Sequence, residues 1–299
     1  MNHKELCAME LERLREETIE TSKGRKAVCD MIPEGASRIL EVGCGWGGIL
    51  LRLQRDKGCT ELYGVDMDPE AARRLSPFID RIELRDIERG EIFSPEYKGF
   101  FKYIILHDVV EHLFDPWLTM TRIREFLAED GQLVVATPNL HFWMVQHEIM
   151  SGRFPYGPGV WHTGHLRWYT PVSLLNVLSI GGFEVREYCL EIPGNVDMKA
   201  LHKLSPLREV QFPPAELQDR YPDKPVYTLT YPENVRRYYP AFFASKLIAV
   251  CGRGRLFWKP QAATYNCPLV EQLTKRVDNP YDVFNPPPMH PIQPGVFPS

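Results

Sequence analysis

Short apolar runs alternate with amphipathic segments along the first half of the chain. The apolar runs have the length of β-strands and lie at residues 38–42, 61–65, 81–84, 101–106 and 132–136. Apolar residues at helical spacing lie between them at residues 46–55, 69–75 and 116–127. Strands that alternate with helices of this length predict right-handed crossovers and an α/β fold with a doubly wound, mainly parallel sheet.

The segments on either side of this alternation complete the predicted domain. Before it, residues 1–36 form an N-terminal helical segment that Pro33 and Gly35 terminate. After it, further elements are predicted as helices at 142–150 and 171–179 and strands at 183–190 and 246–251. We therefore predict one α/β domain over residues 37–256.

Two regions fall outside the regular pattern. Residues 191–244 carry many prolines and tyrosines without periodicity and are interpreted as an insertion before the last strand. This insertion is either an acceptor-recognition or oligomer surface, or an irregular cover of the sheet. The proline-rich tail, residues 257–299, is expected to be extended or disordered unless it docks on a neighbour.

Composition narrows the class of protein. The 299 residues carry a formal net charge of −4, which argues against a protein that binds nucleic acid backbones. No apolar run is long enough to cross a bilayer, and residues 1–20 lack the apolar core of a signal peptide, so a cytoplasmic location without membrane association is expected. The seven cysteines are irregularly spaced and odd in number, which favours reduced thiols over a disulfide framework.

A glycine-rich turn follows the first predicted strand of the sheet. Residues 43–47 read Gly-Cys-Gly-Trp-Gly, and glycine is needed where backbone turns tightly or approaches a ligand closely. The spacing is not GxGxxG, and no GK[ST] follows to hold phosphates. Glu41, two residues before the first glycine, suits a cationic ligand, and Asp66, at the end of the next strand, could accept hydrogen bonds from both ribose hydroxyls.

This arrangement resembles motifs I and II of the class I S-adenosylmethionine-dependent methyltransferases. Further similar segments are Arg85-Asp86-Ile87, residues 107–113, Gly131-Gln132-Leu133, Trp168-Tyr169-Thr170-Pro171 and Gly181-Gly182-Phe183. The last two are similar to the closing segment of the small-molecule branch, which includes the ubiquinone-biosynthesis O-methyltransferases. The resemblance implies a seven-stranded Rossmann-like methyltransferase sheet and S-adenosylmethionine as methyl donor. It places the cofactor on Glu41, Gly43, Gly45, Trp46, Gly47, Asp66, Met67, Asp86, Ile87 and His107.

Candidate catalytic groups follow the fourth strand and recur in the loop at residues 152–169. Asp108 and Glu111 are spaced to share a helix face, His112 follows directly, and His162 and His165 lie in the loop. Two carboxylates and two imidazoles could bind a divalent ion that lowers the pKa of a coordinated hydroxyl. The pattern is similar to the metal site of the ubiquinone O-methyltransferases, which implies Asp108, Glu111, His112 and His165 as ligands, although Asp108 stands where that pattern has a longer Glu.

A site without metal is the other interpretation of the same residues. His165, His112 or His162 would then act as a general base, because an imidazole titrates near neutral pH. Aromatic residues of the same region either line a flat, apolar acceptor pocket or pin the long loop as core residues; they are Trp143, Phe154, Tyr156, Trp161, Trp168 and Tyr169.

The sequence leaves the acceptor open. O-methylation of a small-molecule hydroxyl is the leading hypothesis, and N-methylation of an amine or heteroaromatic nitrogen is the alternative, with a carbon acceptor less favoured. A non-catalytic methyltransferase-like binding module is the rival from another class, but Glu41, Gly43 and Asp66 are intact. The N-terminal helix and the tail would permit a homodimer.

Overall fold

The computed structural model describes residues 3–22, 25–150, 152–191, 209–212, 227–230, 241, 244–254 and 290–292. Its strands are β1 (Ile39–Val42), β2 (Leu62–Asp66), β3 (Arg81–Leu84), β4 (Phe101–His107), β5 (Leu127–Pro138), β6 (Phe183–Glu191), β7 (Glu209–Phe212), β8 (Tyr227–Thr230), β9 (Lys246–Arg253) and β10 (His290–Ile292). Its helices are α1 (His3–Thr21), α2 (Lys26–Asp30), α3 (Gly48–Lys57), α4 (Pro69–Leu75), α5 (Pro116–Phe126), α6 (Trp143–Met150) and α7 (Pro171–Ile180).

Three of the helices begin with the same local chemistry. α4, α5 and α7 each start at a proline, whose missing N–H would be unsatisfied in the first turn of any helix. The preceding residue caps each helix, because the side chains of Asp68, Asp115 and Thr170 accept hydrogen bonds from backbone N–H groups of the first turn. The capping residue and the proline together fix the residue at which each helix begins.

The large sheet has the strand order β3-β2-β1-β4-β5-β9-β6-β10. Strands β1 to β5 pair in parallel, whereas β9 runs antiparallel between β5 and β6. The carboxyl ends of β1, β2, β4, β5 and β6 therefore meet at one edge of the sheet, where the amino end of β9 joins them. In open α/β sheets this edge carries the ligand site.

Both faces of the sheet are buried. Consecutive residues of β4 alternate between the two faces, since Ile104 and Leu106 belong to one apolar cluster and Ile105 belongs to the other. One cluster also contains Phe126 of α5 and Leu178 of α7, and the other contains Ile19 of α1 and Ile49 of α3. Helices thus cover the sheet on both sides, as a doubly wound fold requires.

The structure confirms the predicted α/β fold, with differences at the ends of the domain. The N-terminal helical segment is divided into α1 and α2. β5 begins earlier than the predicted 132–136, because Leu127 pairs with Phe101 before the polar stretch 129–131 shifts the register. The tail adds β10 as an eighth strand that pairs in parallel with β6, so part of it does form a ladder. Two segments of the insertion, β7 and β8, pair antiparallel in a separate sheet. The remainder of the insertion and of the tail lies outside the described residues.

Two further predictions about the class of protein can be compared with the structure. Within the described ranges, no helix combines the length and the apolar character that crossing a bilayer requires. The described cysteines Cys29, Cys44, Cys59, Cys189 and Cys251 are buried and have free thiols. Cys44, the second residue of the glycine turn, belongs to the buried apolar core, and burial raises its pKa well above the ordinary value, so it is an inert core residue.

Asn139 fastens the end of β5 to the chain that enters β9. Its side-chain amide nitrogen donates to the carbonyl oxygens of Ala241 and Ala244 at 2.7 and 2.8 Å, and its amide oxygen accepts from the His141 N–H at 2.9 Å. The residue is fully buried, so each of these groups would otherwise lack a partner.

We predict that Asn139→Ala lowers the free energy of unfolding by about 2 to 3 kcal/mol, because it leaves buried carbonyl groups unpaired. Urea denaturation followed by circular dichroism would measure this loss. Asn176→Ala on α7, which is half-buried, serves as the control and should change stability by much less. Equal losses in the two variants would contradict the fastening role.

Candidate functional site

The turn after β1 brings backbone to the edge of the sheet. Gly43 has φ +67°, and a Cβ there would lie 2.6 Å from Val109 Cγ2. Gly47, which precedes α3, has φ +78°, and a Cβ there would lie 2.0 Å from Leu75 Cδ2. Both positions therefore demand glycine for conformation and for space. Gly43 itself is exposed, so the turn presents bare backbone to a ligand.

Glu41 lies at the end of β1 beneath this turn. It is 1% exposed, and its Oε2 atom is buried without a hydrogen-bond partner in the described part of the chain. Burial raises the pKa of Glu41 to about 8, although the positive charge of Arg25 opposes this shift. A buried carboxylate oxygen without a donor fits a cationic, hydrogen-bond-donating ligand such as an ammonium group.

Asp66 ends β2 beside the same turn. Its Oδ2 accepts from the Gly45 N–H at 2.7 Å, and its Oδ1 accepts from the Asp68 N–H at 2.9 Å. These bonds hold the carboxylate against the glycine turn. A carboxylate oxygen has two lone pairs, so each atom can still accept from a ligand hydroxyl.

The remaining predicted cofactor residues surround the turn and the ends of β2 and β3. Trp46 is half exposed and stacks under the Arg74 guanidinium, which lies 4.1 Å from the ring centroid. Met67 is 71% exposed, the carboxylate of exposed Asp86 contacts Arg89 at 3.2 Å, and Ile87 packs on the core. Exposed apolar groups beside the turn are suited to cover a flat ring.

His107 is the last residue of β4 and Asp108 follows it. Both contact Lys246, the first residue of β9. The Lys246 ammonium lies 2.5 Å from Asp108 Oδ2 and 3.2 Å from His107 Nε2. Asp108 has φ +56°, a left-handed conformation that Asp tolerates better than most residues. Burial disfavours its charge, but contacts with His107 and Lys246 lower the pKa of Asp108 below its ordinary value. Asp108 therefore pairs with a lysine in this structure.

Glu111 is the most deeply buried acid after β4. Its Oε2 accepts from the Thr137 hydroxyl at 2.9 Å, whereas its Oε1 has no hydrogen-bond partner in the described chain and lies 3.9 Å from His165 Nε2. Burial, and then the nearby Asp108 charge, raise the pKa of Glu111 to about 8. The Glu111 carbonyl also accepts from Leu166 and Arg167, which ties the 152–169 loop to this edge.

Three histidines converge next to Glu111. The ring centroid of His112 lies 4.7 Å from that of His165 and 5.8 Å from that of His162. The Nδ1 atoms of His112 and His165 lie 2.9 Å from the carbonyl oxygens of Gly164 and Val160. Because a carbonyl only accepts, both Nδ1 atoms carry the proton, and both Nε2 lone pairs are available. Burial lowers the pKa of His165, which keeps the imidazole neutral.

His162 is oriented differently from the other two histidines. Its Nδ1 accepts from the Gly164 N–H at 3.1 Å, so its neutral ring carries the proton on Nε2. Each of the three rings nevertheless offers a nitrogen, and these nitrogens lie within 4.8 Å of one another. These three imidazoles are therefore the donor set that the structure offers a divalent ion, and metal-binding imidazoles commonly donate their other N–H to a backbone carbonyl, as His112 and His165 do.

The aromatic residues of the loop separate into two groups. Phe154 contacts the rings of Tyr156, Trp161 and Trp168 at centroid distances of 4.5 to 5.5 Å, and Phe154 and Tyr156 are largely exposed. Tyr169 is instead a core residue whose hydroxyl donates to the Val110 carbonyl. Half-buried Trp143 lies apart, against Phe142. We call Phe154, Tyr156, Trp161 and Trp168 the aromatic cluster.

Sequence reasoning missed three residues at this edge. Arg25, between α1 and α2, places a positive charge near both Glu41 and His107. Lys246 donates to Asp108 and Thr137 donates to Glu111, the two acids that follow β4. No motif identifies these residues, because they come from segments distant in sequence that only the sheet order brings together.

The comparisons with known proteins agree with this geometry. Residues 2–188 match the model of a family described as a methyltransferase domain. An uncharacterized methyltransferase of Mycobacterium bovis is 24% identical over 150 residues, which cover 48% of this chain and 75% of the relative. A ubiquinone biosynthesis O-methyltransferase of Azorhizobium caulinodans is 28% identical over 157 residues, which cover 50% of this chain and 60% of the relative.

A solved structure shows the same fold. The crystal structure of an S-adenosylmethionine-dependent methyltransferase from Archaeoglobus fulgidus superposes with a TM-score of 0.52 at 17% identity, over 78% of this chain and 93% of that one. The match to the family model covers more than half of the chain. The chain therefore belongs to the methyltransferase domain family and is a class I S-adenosylmethionine-dependent methyltransferase.

Proposed function

We propose that this enzyme transfers the methyl group of S-adenosylmethionine to a hydroxyl group of a small-molecule acceptor. The observation that carries the proposal is the pair of imidazoles, His112 and His165, whose Nδ1–H groups are engaged by backbone carbonyls. Their Nε2 lone pairs lie at the edge of the sheet where the cofactor turn ends. A hydroxyl acceptor needs such a base, because its proton must leave as the new bond forms.

The cofactor is proposed to bind across the ends of β1 and β2. Glu41 would accept from the ammonium of the methionine end, and the exposed backbone of Gly43 would let that end approach. Asp66 would accept from the ribose hydroxyls and Asp86 from the adenine amine, with Met67 and Ile87 beside the ring. Two observations support this placement: Glu41 Oε2 has no hydrogen-bond partner among the described residues, and a Cβ at Gly43 would fill the space beside the turn.

Methyl transfer to the acceptor is an in-line displacement at a sulfonium carbon. The leaving group is already activated, so the protein must hold the acceptor in line and remove its proton. His165 is the proposed base, since burial keeps its imidazole neutral. Glu111 Oε1 lies 3.9 Å from His165 Nε2 and, although the raised pKa of this carboxyl keeps it largely protonated at pH 7, the oxygen can still accept from the imidazolium N–H that forms.

The same residues fit a divalent metal ion. His112, His162 and His165 would hold it, with Glu111 Oε1 3.9 Å from His165 Nε2, whereas Asp108 is engaged by Lys246. When bound, such an ion lowers the pKa of a coordinated acceptor hydroxyl. With or without the metal ion, the histidines would hold the acceptor oxygen next to the group that removes its proton.

The buried Glu41 carboxyl predicts proton release on cofactor binding. With a pKa of about 8, Glu41 is largely protonated at pH 7 before the ligand arrives, and an ammonium partner favours its ionised form. Titration calorimetry with S-adenosylhomocysteine, in buffers of different ionisation enthalpy, should show release approaching about one proton at pH 7 that vanishes by pH 9.5.

Glu41→Gln tests the assignment of that proton. It should abolish the release and weaken binding of S-adenosylhomocysteine by about tenfold or more, as loss of a charge-assisted hydrogen bond does. Glu129→Gln, at an exposed site, is the matched control. Undiminished proton release in Glu41→Gln would show that another group responds to the ligand.

The base is tested by substitution and chelation together. His165→Ala should lower the methylation rate of hydroxyl acceptors by about 10²- to 10⁴-fold. Release of S-adenosylhomocysteine with catechol and 3,4-dihydroxybenzoate measures this rate. A rate that survives chelation identifies the metal-free base, and a rate that chelation abolishes and Mn²⁺ restores identifies the metal form. Methylation of amines but of no hydroxyl would contradict O-methylation.

The metal-free base also predicts a pH profile. Because burial lowers the pKa of His165 from 6.5, its base form already predominates at pH 6.5. The kcat/KM value should therefore level off as the pH rises above neutrality and fall as the pH drops through the lowered pKa. A profile that keeps rising above pH 8 would assign the limiting proton to another group.

A further inference from the structure

A second polar cluster lies at the same edge of the sheet, beside the histidines. Lys246 contacts Asp108 at 2.5 Å and His107 at 3.2 Å. Glu191, the last residue of β6, is the direct cross-strand neighbour of Lys246 in the antiparallel β6–β9 pair. Directly opposite residues in such pairs have Cβ atoms roughly 4.5 to 5.5 Å apart, so the two side chains are neighbours. We call Asp108, Glu191 and Lys246 the β9 cluster.

The β9 cluster has hydrogen-bonding capacity that the described chain does not use. Asp108 Oδ1 and Glu191 Oε2 are buried atoms without a hydrogen-bond partner in the ranges that the structure describes. The Lys246 ammonium carries three N–H groups, and Asp108 and His107 account for two of them. Buried polar groups in proteins are normally paired, so within the described residues this arrangement can take a further polar group.

The unused hydrogen-bond donors and acceptors of the β9 cluster determine which functional group of a ligand can bind there. Two carboxylate oxygens only accept hydrogen bonds, and one ammonium N–H only donates. An ammonium ligand would satisfy the carboxylates but would face Lys246 with like charge, and a carboxylate ligand would do the reverse. A hydroxyl both donates and accepts, so adjacent hydroxyls can satisfy a carboxylate and the lysine at once.

The position of the β9 cluster links it to the acceptor. Asp108 is three residues from Glu111 in sequence, and its charge acts on both Glu111 and His165. The β9 cluster and Glu111, whose Oε1 lies 3.9 Å from His165 Nε2, therefore lie at the same edge of the sheet.

We infer that the β9 cluster is a recognition site for vicinal hydroxyl groups, and that the acceptor is an uncharged polyhydroxylated, sugar-type molecule. This inference rests on the proposed function, because it places the acceptor beside His165. Lys246 and Glu191 touch hydroxyls that are not methylated, and those contacts turn the reacting hydroxyl towards the base. The cross-strand pairing of β6 and β9 fixes the spacing between the two charges.

Binding of three matched sugars tests the inference. Methyl α-D-glucopyranoside is uncharged, glucosamine carries an ammonium and glucuronate carries a carboxylate on the same ring. Saturation-transfer NMR on protein loaded with S-adenosylhomocysteine should show binding of the uncharged sugar in preference to the other two. Lys246→Met and Glu191→Gln should each weaken that binding by about tenfold, the effect of losing one hydrogen bond to a charged group.

Controls separate a local loss from a general one. Lys102→Met lies at the opposite end of β4, in an exposed ion pair with Asp130, and should leave sugar binding unchanged. All variants should keep the S-adenosylhomocysteine affinity and the circular dichroism spectrum of the parent. A Lys246→Met protein that fails to fold is replaced by Lys246→Gln, which keeps a donor and should weaken sugar binding less.

The outcomes distinguish this inference from the proposed function. Failure of the parent protein to bind S-adenosylhomocysteine would overturn both. Cofactor binding without binding of any sugar, or with preference for glucosamine or glucuronate, would overturn the β9 cluster assignment and leave O-methylation standing. Sugar binding that both substitutions leave intact would also overturn it.

Discussion

The structure depends on how buried carboxylates are accommodated at one edge of a parallel sheet. Glu41, Asp108, Glu111 and Glu191 each end or follow a strand there, and each keeps one buried oxygen without a hydrogen-bond partner in the described chain. Parallel strands with both faces covered leave this edge as the place where polar groups can gather. Burying a charge is costly unless it is paired, and burial raises the pKa of both Glu41 and Glu111 to about 8, so this edge favours ligands that supply hydrogen-bond donors.

The antiparallel strand β9 brings a lysine to this edge. A sheet that was parallel throughout would bring only carboxyl ends to the edge. Because β9 runs the other way, its first residue, Lys246, arrives beside Asp108, which adopts φ +56°. Strained backbone of this kind tends to occur at functional sites, where surrounding contacts hold it in place. The pairing also redirects Asp108, which the sequence resemblance placed among metal ligands, towards the lysine.

Local patterns predicted most of the sheet and the turn at Gly43, because these follow from apolar periodicity and from conformations that only glycine adopts easily. They could not predict Lys246 as a site residue, since a lone lysine at a strand start is common and its partners depend on strand order. The contact of Asp108 with Lys246 could not be predicted for the same reason, because the spacing of Asp108 relative to Glu111 is visible in sequence but a contact with β9 is not. The strand β10 was missed because prolines conceal a short edge strand.

The carbonyl of Val160 accepts two N–H groups, that of His165 Nδ1 at 2.9 Å and that of Trp168 Nε1 at 3.1 Å. Trp168 belongs to the aromatic cluster, where Phe154 packs against it. One backbone oxygen thus anchors both an imidazole and an indole. A molecule that displaces the Trp168 indole would also disturb the Val160 carbonyl oxygen, which holds the proton of His165 on Nδ1. The shape of a molecule bound at the aromatic cluster would therefore affect His165 Nε2, the nitrogen that would take up the proton.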